Sequence, residues 1–80
     1  MPDDAELLVE VGVRIRSARV DAGLSQEELA EACGLHRTYV GSVERGERNI
    51  GVLNLLAVAT ALDVDAADLV RSLRRAAPTA

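Results

Sequence analysis

The side chains best suited to bind another molecule lie between residues 36 and 49, and most of them are hydrogen-bond donors. Three arginines, Arg37, Arg45 and Arg48, occur there together with small polar residues such as Thr38 and Ser42. A guanidinium is a planar fork of N–H donors that fits phosphate oxygens or the O6 and N7 edge of guanine. A threonine methyl can contact the methyl group of thymine. The chemistry available in this stretch is therefore recognition by hydrogen bonds and charge.

The sequence offers no set of residues suited to catalysis or to metal binding. His36 is the only histidine and Cys33 is the only cysteine, and one residue of each kind does not make a metal site. The sequence contains no pattern of a nucleophile with its base and no phosphate-binding glycine loop. We therefore expect no enzymatic activity, no metal and no cofactor. We interpret Cys33 as a small buried apolar residue rather than a redox sensor.

An all-α fold of five helices is predicted to position the polar residues. Apolar residues recur at spacings of three and four, which is the helical period, and both prolines lie outside the predicted helices. The expected bounds are about Glu6–Ala22, Ser25–Gly34, Arg37–Arg45, Val52–Leu62 and a fifth helix that begins after Asp65, within residues 52–76. The inward stripe of the fourth helix is expected to comprise Val52, Leu55, Ala59 and Leu62.

Residues 25–45 have the spacing of a helix-turn-helix. Ser25 and Glu28 form a capping-box pattern at the start of the second helix, and Gly34 supplies a left-handed residue at its end. Ala30 is small where the next helix must cross closely. On a wheel of about 100° per residue, the third helix has a polar and cationic arc opposite an apolar arc. This pattern predicts a helix that enters the major groove with its N-terminal residues leading, although an ordinary solvated face has the same pattern.

The run SQEELAEACGLHRTYVGSVERGERNIGVLNLLAVATALDV resembles the Xre/Cro/cI-type helix-turn-helix transcription factors, and the upstream GVRIRSAR fits that family's first helix. The fold that this resemblance implies is a compact five-helix bundle of the lambda-repressor-like type. Within the family, the block HRTYVGSVERGERNI is most similar to the controller proteins of restriction–modification systems. The resemblance implies a homodimer that binds a palindromic operator in double-stranded DNA.

The resemblance and the helical wheel together assign residues to the DNA interface. The residues expected to contact DNA are Gln26, His36, Arg37, Thr38, Tyr39, Ser42, Arg45, Arg48 and Asn49. The resemblance implies base contacts from Arg37, Thr38 and Ser42. It implies contacts to the DNA backbone from Gln26, Tyr39, Arg48 and Asn49.

The roles of His36 and Tyr39 stay open, and Glu44 is assigned a structural role. His36 occupies the N-cap of the third helix and has three open roles, namely a DNA contact, a helix cap or neither. Tyr39 is equally suited to a phosphate contact and to packing at the edge of the apolar arc. The family's structural ion pair is expected between Glu44 and either Arg14 or Arg16.

Apolar residues in the last two helices exceed what one small core needs. Leu53 and Leu56 fall outside the inward stripe of the fourth helix. An apolar patch of this kind often marks an interface, so we expect a two-fold dimer built from residues 52–76. The residues expected at the dimer interface are Leu53, Leu56, Leu69, Val70 and Leu73.

The chain is acidic, with a formal net charge of −4, which by itself argues against nucleic acid as a partner. The charge is unevenly distributed. Residues 1–31 carry eight acids against three arginines, whereas residues 37–48 carry three arginines against two glutamates. Because binding depends on the local field, the second segment remains a candidate for DNA contact.

We expect residues 1–80 to form a single domain in the cytoplasm. The lone cysteine, the acidic N-terminus and the absence of a long apolar run argue against secretion and against a membrane anchor. The leading hypothesis is a sequence-specific, autoregulatory transcription regulator, for which RNA polymerase is a further partner if it activates. The alternative is an antitoxin-type module that binds a toxin protein and uses its helix-turn-helix for autoregulation. The neighbouring genes would distinguish the two hypotheses.

Overall fold

A computed structural model of the chain describes residues 2–77, which contain five helices and no strand. The helices are α1 (Asp4–Asp21), α2 (Gln26–Cys33), α3 (Arg37–Glu44), α4 (Val52–Leu62) and α5 (Ala66–Val70). The predicted all-α class is confirmed. Among the described residues, no helix combines the length and the apolar character that a membrane span requires.

Local capping chemistry explains where the first two helices begin. The Ser25 hydroxyl accepts from the Glu28 N–H at 3.0 Å, and the Glu28 carboxylate accepts from the Ser25 N–H at 2.9 Å. This pair confirms the predicted capping box, and these bonds hold the pKa of Glu28 below its usual range. Asp3 and Glu6 form a second capping box, which starts α1 two residues before the position that apolar periodicity predicts.

A small aliphatic core lies between the helices. Its buried members are Ile15, Leu29, Ala30, Val40, Val43, Val58, Ala59, Leu62 and Leu69. Every helix contributes at least one of these residues, and α2 packs against both α3 and α4 while α1 lies across α3. The position of α3 is therefore fixed by packing against α1 and α2 rather than by the turn alone.

The C-terminal part of the structure departs from the sequence-based prediction. The helix α5 ends at Val70 and does not continue toward residue 76, because the chain turns at Ser72, whose φ is +64°. The Arg14 guanidinium donates to the Arg71 carbonyl at 2.8 Å and so binds a backbone group that a longer helix would use. In α4, Val52 is 68% exposed and lies outside the inward stripe, where Val58 is buried instead.

A close crossing between α1 and α3 depends on one glycine. A Cβ atom placed on Gly12 would lie 2.4 Å from the Glu44 carbonyl oxygen and 2.5 Å from the Val43 carbonyl oxygen. Real Cβ atoms do not approach backbone oxygens this closely, so any side chain at Gly12 would push the two helices apart.

We therefore expect Gly12→Ala to destabilise the fold, although alanine is the better helix former. In an unobstructed helix the change would stabilise by about 0.5–1 kcal/mol. Here overpacking should reverse the sign and lower the free energy of unfolding by about 3 kcal/mol, measured by urea denaturation. Gly41→Ala is the matched control, because the Cβ would there meet only the ends of side chains, 3.1 Å or more away. Equal stability of the two variants would contradict the close-crossing argument.

Candidate nucleic-acid interface

The two helices α2 and α3 are joined by a three-residue connection, Gly34 to His36. Gly34 adopts a left-handed conformation with φ +71°, and the Leu35 N–H donates back to the Ala30 carbonyl at 2.9 Å. These features end α2 sharply and allow α3 to start almost at once. The result is the helix-turn-helix connection that the sequence predicts for residues 25–45.

The helix α3 presents its N-terminal end and one side to solvent. His36, Arg37, Thr38 and Arg45 are exposed there. The His36 side chain does not cap the helix, so the positive end of α3 stays open toward an anion. Arg48 and Asn49 follow in the loop after α3 and are also exposed. We call this set, His36, Arg37, Thr38, Arg45, Arg48 and Asn49, the exposed polar face.

Two residues assigned to the interface are more enclosed than the sequence suggests. Ser42 is only 8% exposed, and its hydroxyl donates to the Tyr39 carbonyl at 2.7 Å. It therefore does not belong to the exposed polar face. The Tyr39 ring is half-buried against the core, and its hydroxyl accepts from the Asn54 amide at 3.4 Å. Packing is thus one role of Tyr39, and its phosphate contact stays a prediction.

A buried network fixes the C-terminal end of α3. The Arg19 guanidinium donates to both Glu44 carboxylate oxygens, at 2.6 and 3.0 Å, and the side chains are 11% and 2% exposed. The Gln26 amide donates to the same carboxylate at 3.1 Å. The hydrogen bonds that Arg19 donates to Glu44, together with the opposite charge of Glu44, raise the pKa of Arg19 above its usual range. The expected pairing of Glu44 with Arg14 or Arg16 is wrong, because Arg19 faces α3 and occupies that position.

The exposed charge of residues 37–48 differs from the charge counted from the sequence. Glu44 is buried and neutralised by Arg19, so residues 37–48 expose three arginines against the single carboxylate of Glu47. Glu47 lies 2.9 Å from the Arg45 guanidinium, and the Glu27 carboxylate of α2 lies 3.9 Å from Arg37. The local surplus of positive charge at the surface is therefore larger than the sequence count indicates.

The residues assigned to a dimer interface fall into two groups. Leu53, Leu56 and Val70 are exposed, at 77%, 46% and 41% respectively. Leu73 is half-buried. Leu69 is only 2% exposed and belongs to the core, so its assignment to excess apolar surface is corrected. Adjacent residues of a helix lie about 100° apart, so Leu69 faces the core while Val70 faces solvent.

Two short α-helices joined by a tight turn, the second of which exposes Arg37 and Thr38 at its N-terminal end, define a DNA-binding helix-turn-helix domain. A family model described as Helix-turn-helix matches residues 15–69, and the chain belongs to this family of transcription regulators. The resemblance to helix-turn-helix transcription factors, and among them to controller proteins, is therefore confirmed.

Individual relatives support the same class. The control protein C.SmaI of Serratia marcescens is 52% identical over 61 residues, which are 76% of this chain and 69% of that protein. A Neisseria meningitidis protein named as a hypothetical transcription factor is 46% identical over 86% of this chain, and the match spans 65% of its own length. The crystal structure of the restriction-modification controller protein C.AhdI from Aeromonas hydrophila has a TM-score of 0.76 at 53% identity, covering 78% of this chain and 94% of that one.

Loss of the Glu44 carboxylate should destabilise the fold because it leaves the Arg19 charge nearly buried and unpaired. For Glu44→Leu we expect a loss of about 3 kcal/mol in the free energy of unfolding, measured by urea denaturation. The double variant Arg19→Met with Glu44→Leu should recover much of that loss, since an apolar pair replaces the ion pair. A double variant no more stable than Glu44→Leu would show that the pair is not the source of the effect.

Proposed function

We propose that this chain is a dimeric, sequence-specific regulator of transcription that binds the promoter of its own gene. The observation that carries the proposal is the exposed polar face, in which Arg37 and Thr38 lead at the open N-terminus of α3. A helix that enters the major groove places these positions nearest the base edges. Arg37 can bind the O6 and N7 of a guanine, and Thr38 can contact a thymine methyl.

The remaining polar residues are suited to the DNA backbone. Arg48 and Asn49 lie in the loop beside α3, where sugar–phosphate contacts set the register of the protein on the duplex. Gln26 is the first residue of α2, whose N-terminus favours a phosphate. Its amide nitrogen is held by Glu44, so the Gln26 side chain would meet DNA in a fixed orientation.

A dimer would give the protein its operator symmetry. Leu53 and Leu56 are three residues apart on α4, so they share one face of that helix, and both are exposed. Burying this face against a second copy would place two recognition helices about 34 Å apart, one turn of DNA, on a palindromic operator. The similarity to restriction–modification controller proteins supports a place in such an operon. A regulator that activates would in addition contact RNA polymerase.

The function is tested by fluorescence anisotropy on a duplex from the region upstream of the protein's own gene, with a scrambled duplex as control. We expect the promoter duplex to bind at least about a thousandfold more tightly than the scramble. Equal weak binding to both duplexes would contradict autoregulation. It would instead favour a role in which a protein partner, such as a toxin, is the main ligand.

The contact roles predict different consequences for two arginine variants. Arg37→Ala should cost about 1–3 kcal/mol of binding free energy and relax the preference at one base pair. Arg48→Ala should weaken binding to all sequences alike and reduce the slope of affinity against salt by about 1. Both effects are measured by anisotropy on the promoter duplex and on random DNA. Equal losses of both variants on both kinds of DNA would contradict this division of roles.

The dimer is tested by sedimentation of a variant with charges on the α4 face. Wild-type protein should be dimeric at high micromolar concentration, and Leu53→Glu with Leu56→Glu should be monomeric, because a dimer would bury two unpaired carboxylates per copy. Val20→Glu is the matched control, since Val20 is a 58% exposed valine on α1 and should leave the dimer intact. A wild-type monomer at that concentration would exclude the dimer.

A further inference from the structure

Arg45, on the exposed polar face, forms an ion pair of two hydrogen bonds with the neighbouring Glu47. The Arg45 Nε donates to Glu47 Oε2 at 2.9 Å, and the Arg45 Nη2 donates to Glu47 Oε1 at 3.1 Å. Such a two-bond pair fixes the plane of the guanidinium. The hydrogen bonds from Arg45 hold the pKa of Glu47 below its usual range, so this carboxylate is charged at neutral pH.

The guanidinium of Arg45 lies over the middle of α3 rather than beyond its end. A Cβ atom placed on Gly41 would be 3.1 Å from Arg45 Nη1 and 3.4 Å from the Gln26 amide oxygen. Arg45 therefore folds back by one helical turn, into a notch that exists because residue 41 has no side chain. This side-chain conformation brings the Arg45 guanidinium toward the groove-facing part of α3 and beside Gln26.

The bond pattern leaves a defined part of the guanidinium free. Arginine has five N–H donors, of which Glu47 takes one on Nε and one on Nη2. The donors that remain on Nη1 and Nη2 form a second fork, which fits the O6 and N7 of guanine. The paired carboxylate also cancels the charge of Arg45. A neutral pair gains little electrostatic energy from a phosphate, whereas its free N–H groups can still donate to an uncharged base edge.

We propose that Glu47 is a positioning residue that makes Arg45 a base-reading fork and withholds it from phosphates. The proposal rests on the proposed function and deepens it by adding a specificity determinant at the C-terminal end of α3. The three arginines of residues 37–48 also differ in their ion pairing. Arg37 is only loosely paired, 3.9 Å from Glu27, and Arg48 has no ion-pair partner within residues 2–77, as suits a phosphate contact.

The test compares Glu47→Gln with Glu10→Gln, which removes the same charge from another arginine pair. Glu10 accepts from Arg14 at 3.0 Å on the side of α1 near α5, so it is a matched control outside the polar face. The wild-type protein first selects its preferred duplex from a random-sequence pool. Anisotropy then gives the affinity of each variant for the selected duplex and for random duplex, between about 50 and 200 mM salt.

For Glu47→Gln we expect about tenfold tighter binding to random duplex and a slope against log salt that is steeper by about 1, because Arg45 becomes free to pair with a phosphate. The preference at one base pair of the selected duplex should fall about tenfold, because the fork is no longer held. Glu10→Gln should change neither the affinity for random duplex nor the base-pair preference by as much as twofold, since the pair of Glu10 with Arg14 does not include a residue of the exposed polar face and salt screens exposed charges. Unchanged urea denaturation would show that the Glu47→Gln variant is folded.

Arg45→Lys provides the second arm, because lysine keeps the charge and lacks the fork. It should lose the preference at the same base pair, and Glu47→Gln should add nothing to that loss in the double variant. If Glu47→Gln matches Glu10→Gln in all quantities while the wild type still selects a sequence, the role of Glu47 is overturned and the proposed function stands. If the wild type selects no sequence, both proposals are overturned.

Discussion

The buried ion pair between Arg19 and Glu44 is the polar contact on which the mutual placement of α1, α2 and α3 depends. It joins the last turn of α1 to the last residue of α3, and Gln26 extends it to the first residue of α2. Arg19 also donates to the Leu24 carbonyl at 2.9 Å, so the α1–α2 connection is tied to the same centre. A carboxylate that is 2% exposed is tolerated only with such partners, because an unpaired buried charge costs several kcal/mol. The pair therefore makes one mutual orientation of the three helices much more favourable than its alternatives.

The same pair resolves an apparent conflict between charge and function. A chain with a net charge of −4 would be a poor ligand for a polyanion if its charges were spread evenly. Burial of Glu44 removes one acid from the surface around α3, and its partner Arg19 comes from the last turn of α1. Four of the remaining acids, Asp3, Glu6, Glu28 and Asp65, bond the backbone at the starts of α1, α2 and α5. Net charge is thus a weak guide here, because folding decides which charges reach the partner.

Local signals account for most of what the sequence predicts correctly. The helix-turn-helix follows from Ser25, Glu28 and Gly34, whose effects act within one helical turn and are readable from spacing. The partner of Glu44 was not predictable in this way, because the pair joins residues 25 apart in the sequence. Its position depends on the close crossing at Gly12, which lies seven residues, about two turns, before Arg19 on the same face of α1. The error in α5 has a similar origin, since a tertiary contact from Arg14 takes the backbone carbonyl of Arg71.

The end of α3 shows how two glutamates three residues apart acquire opposite tasks. In a continued helix, Glu44 and Glu47 would lie on one face and face the same environment. Gly46 prevents this, since its φ is +77° and a Cβ there would lie 2.7 Å from a Val9 methyl carbon. The turn keeps Glu44 inside, where it fixes the framework, and swings Glu47 outward to the guanidinium of Arg45. The end of α3 therefore bears on the proposed DNA interface, because the turn places one carboxylate in the core, where it supports the fold, and the other on the exposed surface, where it changes the local charge.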